Sequence, residues 1–135
     1  MQEQSDKSYL LIGVWKLVNI VNRDEQGNIL RSSYGPKKFG LITFNDDHRM
    51  MVVIQDGREN LPSSRKREYS SYAGTYRFDG TTLVTKVDCS TIPDRMGTDQ
   101  VRPAQLDGNR VTLTAPPAEI EGVVHYRQLT WEKIH

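Results

Sequence analysis

Apolar and polar residues alternate in short blocks along nearly the whole chain, and turn-forming residues separate the blocks at close intervals. A two-residue period is that of a strand with one face buried. The first block, Gly13 to Val21, predicts a strand with Trp15, Leu17, Asn19 and Val21 on one face and Val14, Lys16, Val18 and Ile20 on the other. Gly13, two residues before the Trp, lets the entering chain bend tightly. Asp24 to Asn28 reads as a Gly-containing hairpin turn, Ile29-Leu30 resumes a short strand, and Tyr34-Gly35-Pro36 breaks it. Phe39 to Phe44 and Arg49 to Ile54, joined by the turn Asn45 to His48, form a second hairpin. Both of its strands are nearly unbroken apolar runs, which predicts cover on both faces: the protein interior on one, a lid or a partner subunit on the other. Further strands follow at 74–78, 83–89, 98–106, 110–114 and 123–134, with Asp79-Gly80-Thr81 and Asp107-Gly108-Asn109 at the bends, Ile92 to Gly97 as a connecting loop and Pro116-Pro117 as an interruption. Many short strands without a long amphipathic helix predict an all-β fold, an antiparallel barrel or sandwich.

One stretch departs from this rhythm. Gln55 to Ser71 is charged, holds Gly57, Pro62 and the run Arg65-Lys66-Arg67, and lacks strand periodicity. A loop of that length in a compact domain is usually functional or mobile. Pro62-Ser63-Ser64 can start a helix, so a short helical lid is expected over Ser63 to Tyr72. The basic run, followed by Glu68, reads as a solvated face rather than a nucleic-acid patch.

Composition narrows the function classes. The chain has 135 residues, enough for one domain with a real core, read as a polar leader over 1–12 and a barrel domain over 13–135. Its formal charge is +1, which gives no reason to expect nucleic acid, a membrane surface or a strongly acidic partner. A small hydrophobic ligand is the expected partner, with a homodimer as the way to cover residues 39–54. Cys89 is the single cysteine, so no intrachain disulfide can form, and its place in the alternation makes it a buried structural thiol. The opening residues lack the basic and apolar segments of a signal peptide, and no apolar run is long enough to span a bilayer; a cytoplasmic protein is the expectation. Three histidines, His48, His125 and His135, are too scattered to predict a metal site, phosphate loops and nucleophile elbows are absent, and no cofactor is expected.

The order of several short motifs resembles the bacterial lipocalin-like domain family, with its calycin-type β-barrel. The motifs are Gly13-Val14-Trp15, Tyr34-Gly35-Pro36 with Gly40, Tyr72-Ala73-Gly74-Thr75-Tyr76, Ser90 with Pro93, Gly97 to Arg102, Leu106 to Leu113, and Leu129-Thr130-Trp131. The resemblance implies an up-and-down barrel whose floor is closed by Trp15, a central apolar cavity, and a lid near Ser63 to Tyr72. It also implies binding of hydrophobic small molecules, or, as in some similar barrels, the shaping of a polyketide-like or polyene substrate for cyclisation or isomerisation. The chain departs from the family pattern after Asp79-Gly80, where histidines are common and Thr85 and Lys86 stand here.

Alternation within the strands selects the candidate site. Gln100 and Arg102 share a face with Ala104 and Leu106, and His125, Arg127, Leu129 and Trp131 share another that runs from polar to apolar, as the wall of a cavity with a wet mouth and a dry floor would. Tyr76 and Phe78 align in the same way. An inward arginine needs a carboxylate, carbonyls or an anionic ligand. The expected site therefore has Arg102, with Gln100, Arg127 and His125, holding an anionic group, and Trp15, Tyr76, Phe78, Leu129 and Trp131 holding an apolar body. A second role stays open for the arginines, that of a structural clasp stacked on a Trp. Catalytic residues are not identified, and a protein-interaction module using the apolar face of strands 39–54 is the third reading.

Overall fold

The computed structural model describes residues 6–135. Among these residues nine strands are present: β1 (Gly13–Arg23), β2 (Ile29–Leu30), β3 (Lys38–Phe44), β4 (Arg49–Asp56), β5 (Tyr69–Phe78), β6 (Thr82–Ser90), β7 (Asp99–Asp107), β8 (Arg110–Ile120) and β9 (Val123–Lys133). All pair antiparallel, β1 followed by β3 through β9 in chain order, and β9 returns to pair with β1. The result is an eight-stranded, closed, up-and-down barrel, with the two-residue β2 appended to the end of β1. Closure leaves only the two-residue β2 as an open edge among the described residues, which is how such a fold avoids strand-to-strand association.

The inward-facing residues form two zones. At one end Leu11, Trp15, Phe44, Met50, Tyr76, Phe78, Leu83 and Val111 pack into a dry floor. Trp15 is 1% exposed, and its indole N–H donates to the Leu11 carbonyl at 2.9 Å. Residues 6–12 are drawn beneath it: Ser8–Leu10 is a 3-10 turn, the Lys7 amide donates to the Phe78 carbonyl, and Leu11 is fully buried. The first five residues of the polar leader lie outside the described residues. Gly13 has φ 141°, and a Cβ there would stand 2.1 Å from the carbonyl oxygen of His135, so only glycine fits where the chain ends meet.

Three strands carry irregularities that reset the alternation. In β1 the register shifts between Leu17 and Asn19 against β9, so Ile20 and Asn22, not Asn19 and Val21, are buried. In β6 the register shifts opposite Ala73 and Gly74, so Asp88 and Cys89 both face solvent. The expected buried thiol is therefore an exposed one. β8 runs through Pro116-Pro117, which is tolerated because the register shifts between Ala115 and Ala118.

The expected helical lid over Ser63 to Tyr72 is absent. Tyr69 to Tyr72 belong to β5 and pair with Gln55 to Val52, and the segment before them is an irregular loop. Its one short turn, Arg65 N–H to Pro62 carbonyl, goes no further because Arg67 turns back, donating to the carbonyls of Asp56, Arg58 and Glu59. A segment this short and polar has no apolar stripe to pay for nucleating a helix. The only helical turns among the described residues are two isolated 3-10 turns, Ser8–Leu10 and Pro93–Arg95. On the outer face of β3 and β4, Phe39, Met51 and Val53 are exposed in the single chain.

Candidate functional site

Opposite the floor, the barrel holds a cavity with room for the centres of water-sized spheres over about 80 Å³. At roughly 10–15 Å³ per water position this corresponds to about five to eight waters, the scale of a small organic molecule. Ile42, Val52, Leu113, Leu129 and Trp131 form its apolar depth, and Asn22, Tyr34, Ser70, Tyr72, Arg95, Arg102 and Arg127 surround its mouth. The polarity gradient follows from register. Leu17 pairs with Trp131, Ile20 with Leu129 and Asn22 with Arg127, so along β1 and β9 away from the floor two apolar pairs give way to a polar one. Tyr34, from the segment between β2 and β3, reaches over the mouth and shares a 2.7 Å hydrogen bond with Ser70.

The arginines dominate its electrostatics. Arg102 is 8% exposed; its guanidinium donates to the Gln100 side-chain oxygen at 2.7 Å and to its neighbour's carbonyl, that of Val101, at 3.1 Å. Arg127 makes only a long contact, 3.4 Å, to the Pro116 carbonyl, and its Nε–H is buried without a protein partner. Burial pushes the pKa of both guanidiniums below the ordinary arginine value, and the charge of Arg95 adds to the effect on each. Arg95 itself lies over the ring of Tyr72, 5.9 Å from its centroid, and burial raises the Tyr72 phenol above its ordinary value. The ion pairs among the described residues join Asp6 to His48, Asp88 to Arg49, Asp56 to Arg58 and Glu132 to Arg110. None includes an arginine of the mouth.

Two more groups at the cavity have unused hydrogen-bonding capacity. The indole N–H of Trp131, 1% exposed, has no protein partner, and neither does the side-chain oxygen of Asn22, 3% exposed. The Asn22 amide N–H faces His125 Nδ1 at 3.0 Å.

The candidate residues thus divide. Arg102, Arg127, Leu129 and Trp131 line the cavity. Gln100 does not line it but orients Arg102, and His125 does not line it but orients Asn22. Trp15, Tyr76 and Phe78 belong to the floor, where Tyr76 donates its hydroxyl to the Asn45 carbonyl at 2.8 Å and packs edge-on against Phe44. A cation lies against the Trp15 ring, and it is Lys133, 5.8 Å from the ring centroid. Sequence reasoning did not select Asn22, Tyr34, Tyr72 or Arg95. The only signal for Tyr34 and Tyr72 was membership in the Tyr-Gly-Pro and Tyr-Ala-Gly-Thr-Tyr motifs.

Among the described residues no cluster of His, Cys, Asp and Glu is suited to hold a metal ion, and no helix is long and apolar enough to cross a membrane. Comparisons with curated proteins and with solved structures returned no match. A family model described as a lipocalin-like domain matches residues 12–134, the entire barrel from the residue before Gly13 to the end of β9. With that match and an eight-stranded up-and-down barrel enclosing a cavity above a tryptophan floor, the chain belongs to the lipocalin-like domain family.

Proposed function

We propose that the barrel binds a small apolar anion, its charged oxygens toward Arg102 and Arg127 and its body against Ile42, Val52, Leu113, Leu129 and Trp131. The observation that carries this reading is the pair of arginines, Arg102 buried and Arg127 half-buried, that line the cavity without a carboxylate partner among the described residues. An isolated cation taken out of water costs several kcal/mol, and an anionic ligand offsets that cost where it arises. Arginine suits the role because it stays charged and presents a planar fork of donors to a carboxylate. The volume favours a molecule the size of a medium-chain acid over a long lipid.

Titration with octanoate and with octanol tests this. Trp131 lines the cavity, so octanoate is expected to change tryptophan emission saturably, with octanol about tenfold to a hundredfold weaker, the value of one charge-assisted hydrogen bond. Equal affinity for acid and alcohol would contradict the anionic reading, and saturable binding of neither would contradict cavity binding of this ligand class.

A further inference from the structure

The connection between β6 and β7 inverts the usual placement of charge. Ile92 and Met96, on either side of its 3-10 turn Pro93–Arg95, are exposed, while Arg95 is half-buried, the one residue of 91–99 that does not face solvent. A turn arranged only for its own stability would bury the apolar side chains and leave the cation in water. Backbone bonds hold the segment in this form: the Gly97 amide donates to the Val87 carbonyl at 2.7 Å, and the Thr98 amide and hydroxyl both donate to the Arg95 carbonyl. Arg95 is thereby laid over Tyr72 at the mouth of the cavity, and no ion pair among the described residues includes it.

With Arg95 the cavity is lined by three arginines, Arg102 and Arg127 being the others, and by no Asp or Glu among the described residues. The three feel one another: the charges of Arg95 and Arg127 lower the pKa of Arg102, and that of Arg95 lowers the pKa of Arg127. A carboxylate answers one of these positive charges and brings two acceptor oxygens. A phosphate monoester answers two and brings three. We infer that the head group received at this mouth is a dianion, a phosphate monoester set among Arg95, Arg102 and Arg127, with its small apolar body in the depth below. Tyr34 and Ser70 add to the fit, since two hydroxyls that share one hydrogen bond keep a proton to donate elsewhere. Resting on the anion-binding reading, this fixes the charge of the head group and brings Arg95 to it.

Calorimetric titrations of the unaltered protein with octyl phosphate, octyl sulfate and octanoate at about pH 8 test this. Octyl phosphate, a dianion there, is expected to bind about tenfold to a hundredfold tighter than octanoate, and octyl sulfate, which has the tetrahedral shape with a single charge, within about threefold of octanoate. At about pH 5, where a phosphate monoester carries one charge, octyl phosphate should bind no tighter than octyl sulfate; comparison with the sulfate at each pH cancels titration of the protein's own groups, among them His125 beside Asn22. Arg95→Gln should shrink the advantage of octyl phosphate over octanoate to about threefold. If octanoate binds and octyl phosphate gains nothing over it, or if octyl sulfate equals octyl phosphate at the higher pH, the dianion proposal is wrong and the anion-binding reading stands. An advantage that survives Arg95→Gln undiminished also overturns the proposal, and should that variant not melt cooperatively, the pH comparison on the unaltered protein decides. If none of the three ligands binds, or if inorganic phosphate binds as tightly as octyl phosphate, both readings fail.

Discussion

Replacing Arg102 with Met separates a ligand anchor from a structural clasp, because the two roles predict opposite effects on stability. Met keeps the apolar length of the side chain and deletes the charge and the donor fork. In the free protein Arg102 is 8% exposed, is repelled by Arg95 and Arg127, and receives only the Gln100 oxygen and one neighbouring carbonyl in return. Removing it relieves a desolvation cost. The loss is one hydrogen bond to Gln100, which is half-buried and able to reach water, worth about 1 kcal/mol. Replacement of buried charges by apolar groups of similar volume is neutral or stabilising by about 1–4 kcal/mol in general. A net gain of about 0–2 kcal/mol is therefore expected. A domain of 135 residues has an unfolding entropy near its midpoint of about 0.28 kcal/mol/K, so Tm should rise by about 0–7 °C. Octanoate affinity should fall about tenfold to a hundredfold in the same variant. Paired thermal melts and titrations read both quantities. A Tm loss of about 10 °C with octanoate affinity retained would refute the reasoning and make Arg102 a clasp.

Trp15→Ala empties the floor and orphans the Leu11 carbonyl; a loss of about 3–5 kcal/mol, or about 11–18 °C in Tm, is expected, and a shift under about 3 °C would mean that the floor does not depend on the indole. Gly74→Ala places a Cβ 2.0 Å from the Lys86 carbonyl oxygen at the β5–β6 irregularity and should cost about 1–3 kcal/mol in a denaturant melt, whereas an unchanged midpoint would show that the two strands part freely there. Burial pushes the Tyr76 phenol up to about 12. Because the folded value lies above the unfolded one, this group's contribution to stability is complete below about pH 10 and is lost as pH rises through about 12; with six tyrosines in the chain, the phenolate absorbance that Tyr76→Phe removes should therefore appear only together with loss of the fold, and its appearance in a protein still folded at pH 11 would count against the buried assignment.

Most of the barrel is legible in the residues because alternation and Gly-containing bends are local properties. The face of Trp131, Leu129, Arg127 and His125 follows from strand geometry alone, since β9 keeps its alternation from His125 to Trp131. Where a strand bulges, the same rule inverts. Asn22 reads as outward from Trp15 by counting in twos, and the irregularity near Val18 turns it inward beside Arg127. Cys89 reads as inward from Leu83 by the same count, and the shift opposite Ala73 and Gly74 turns it out. A bulge is set by the partner strand and by the curvature of a closing barrel, so one strand's sequence does not reveal it. Arg95 and Tyr34 lie outside the regular strands, on connections whose path over the mouth depends on the finished barrel. The helix expected over Ser63 to Tyr72 rested on an N-cap signal without an apolar stripe behind it, and pairing with β4 took its second half.

The central claim is that a small apolar anion enters above the tryptophan floor, its charge toward Arg102 and Arg127 and its body against Trp131. The chain has two tryptophans, so a proton–nitrogen correlation spectrum of labelled protein shows two indole N–H signals, assigned with Trp15→Phe. On addition of octanoate the Trp131 signal and the Arg127 Nε–H signal should shift saturably with one dissociation constant, while the Trp15 signal, fixed to the Leu11 carbonyl, stays within a small fraction of that shift. A saturable shift confined to Trp15, or none at either indole at saturating octanoate, would contradict the claim.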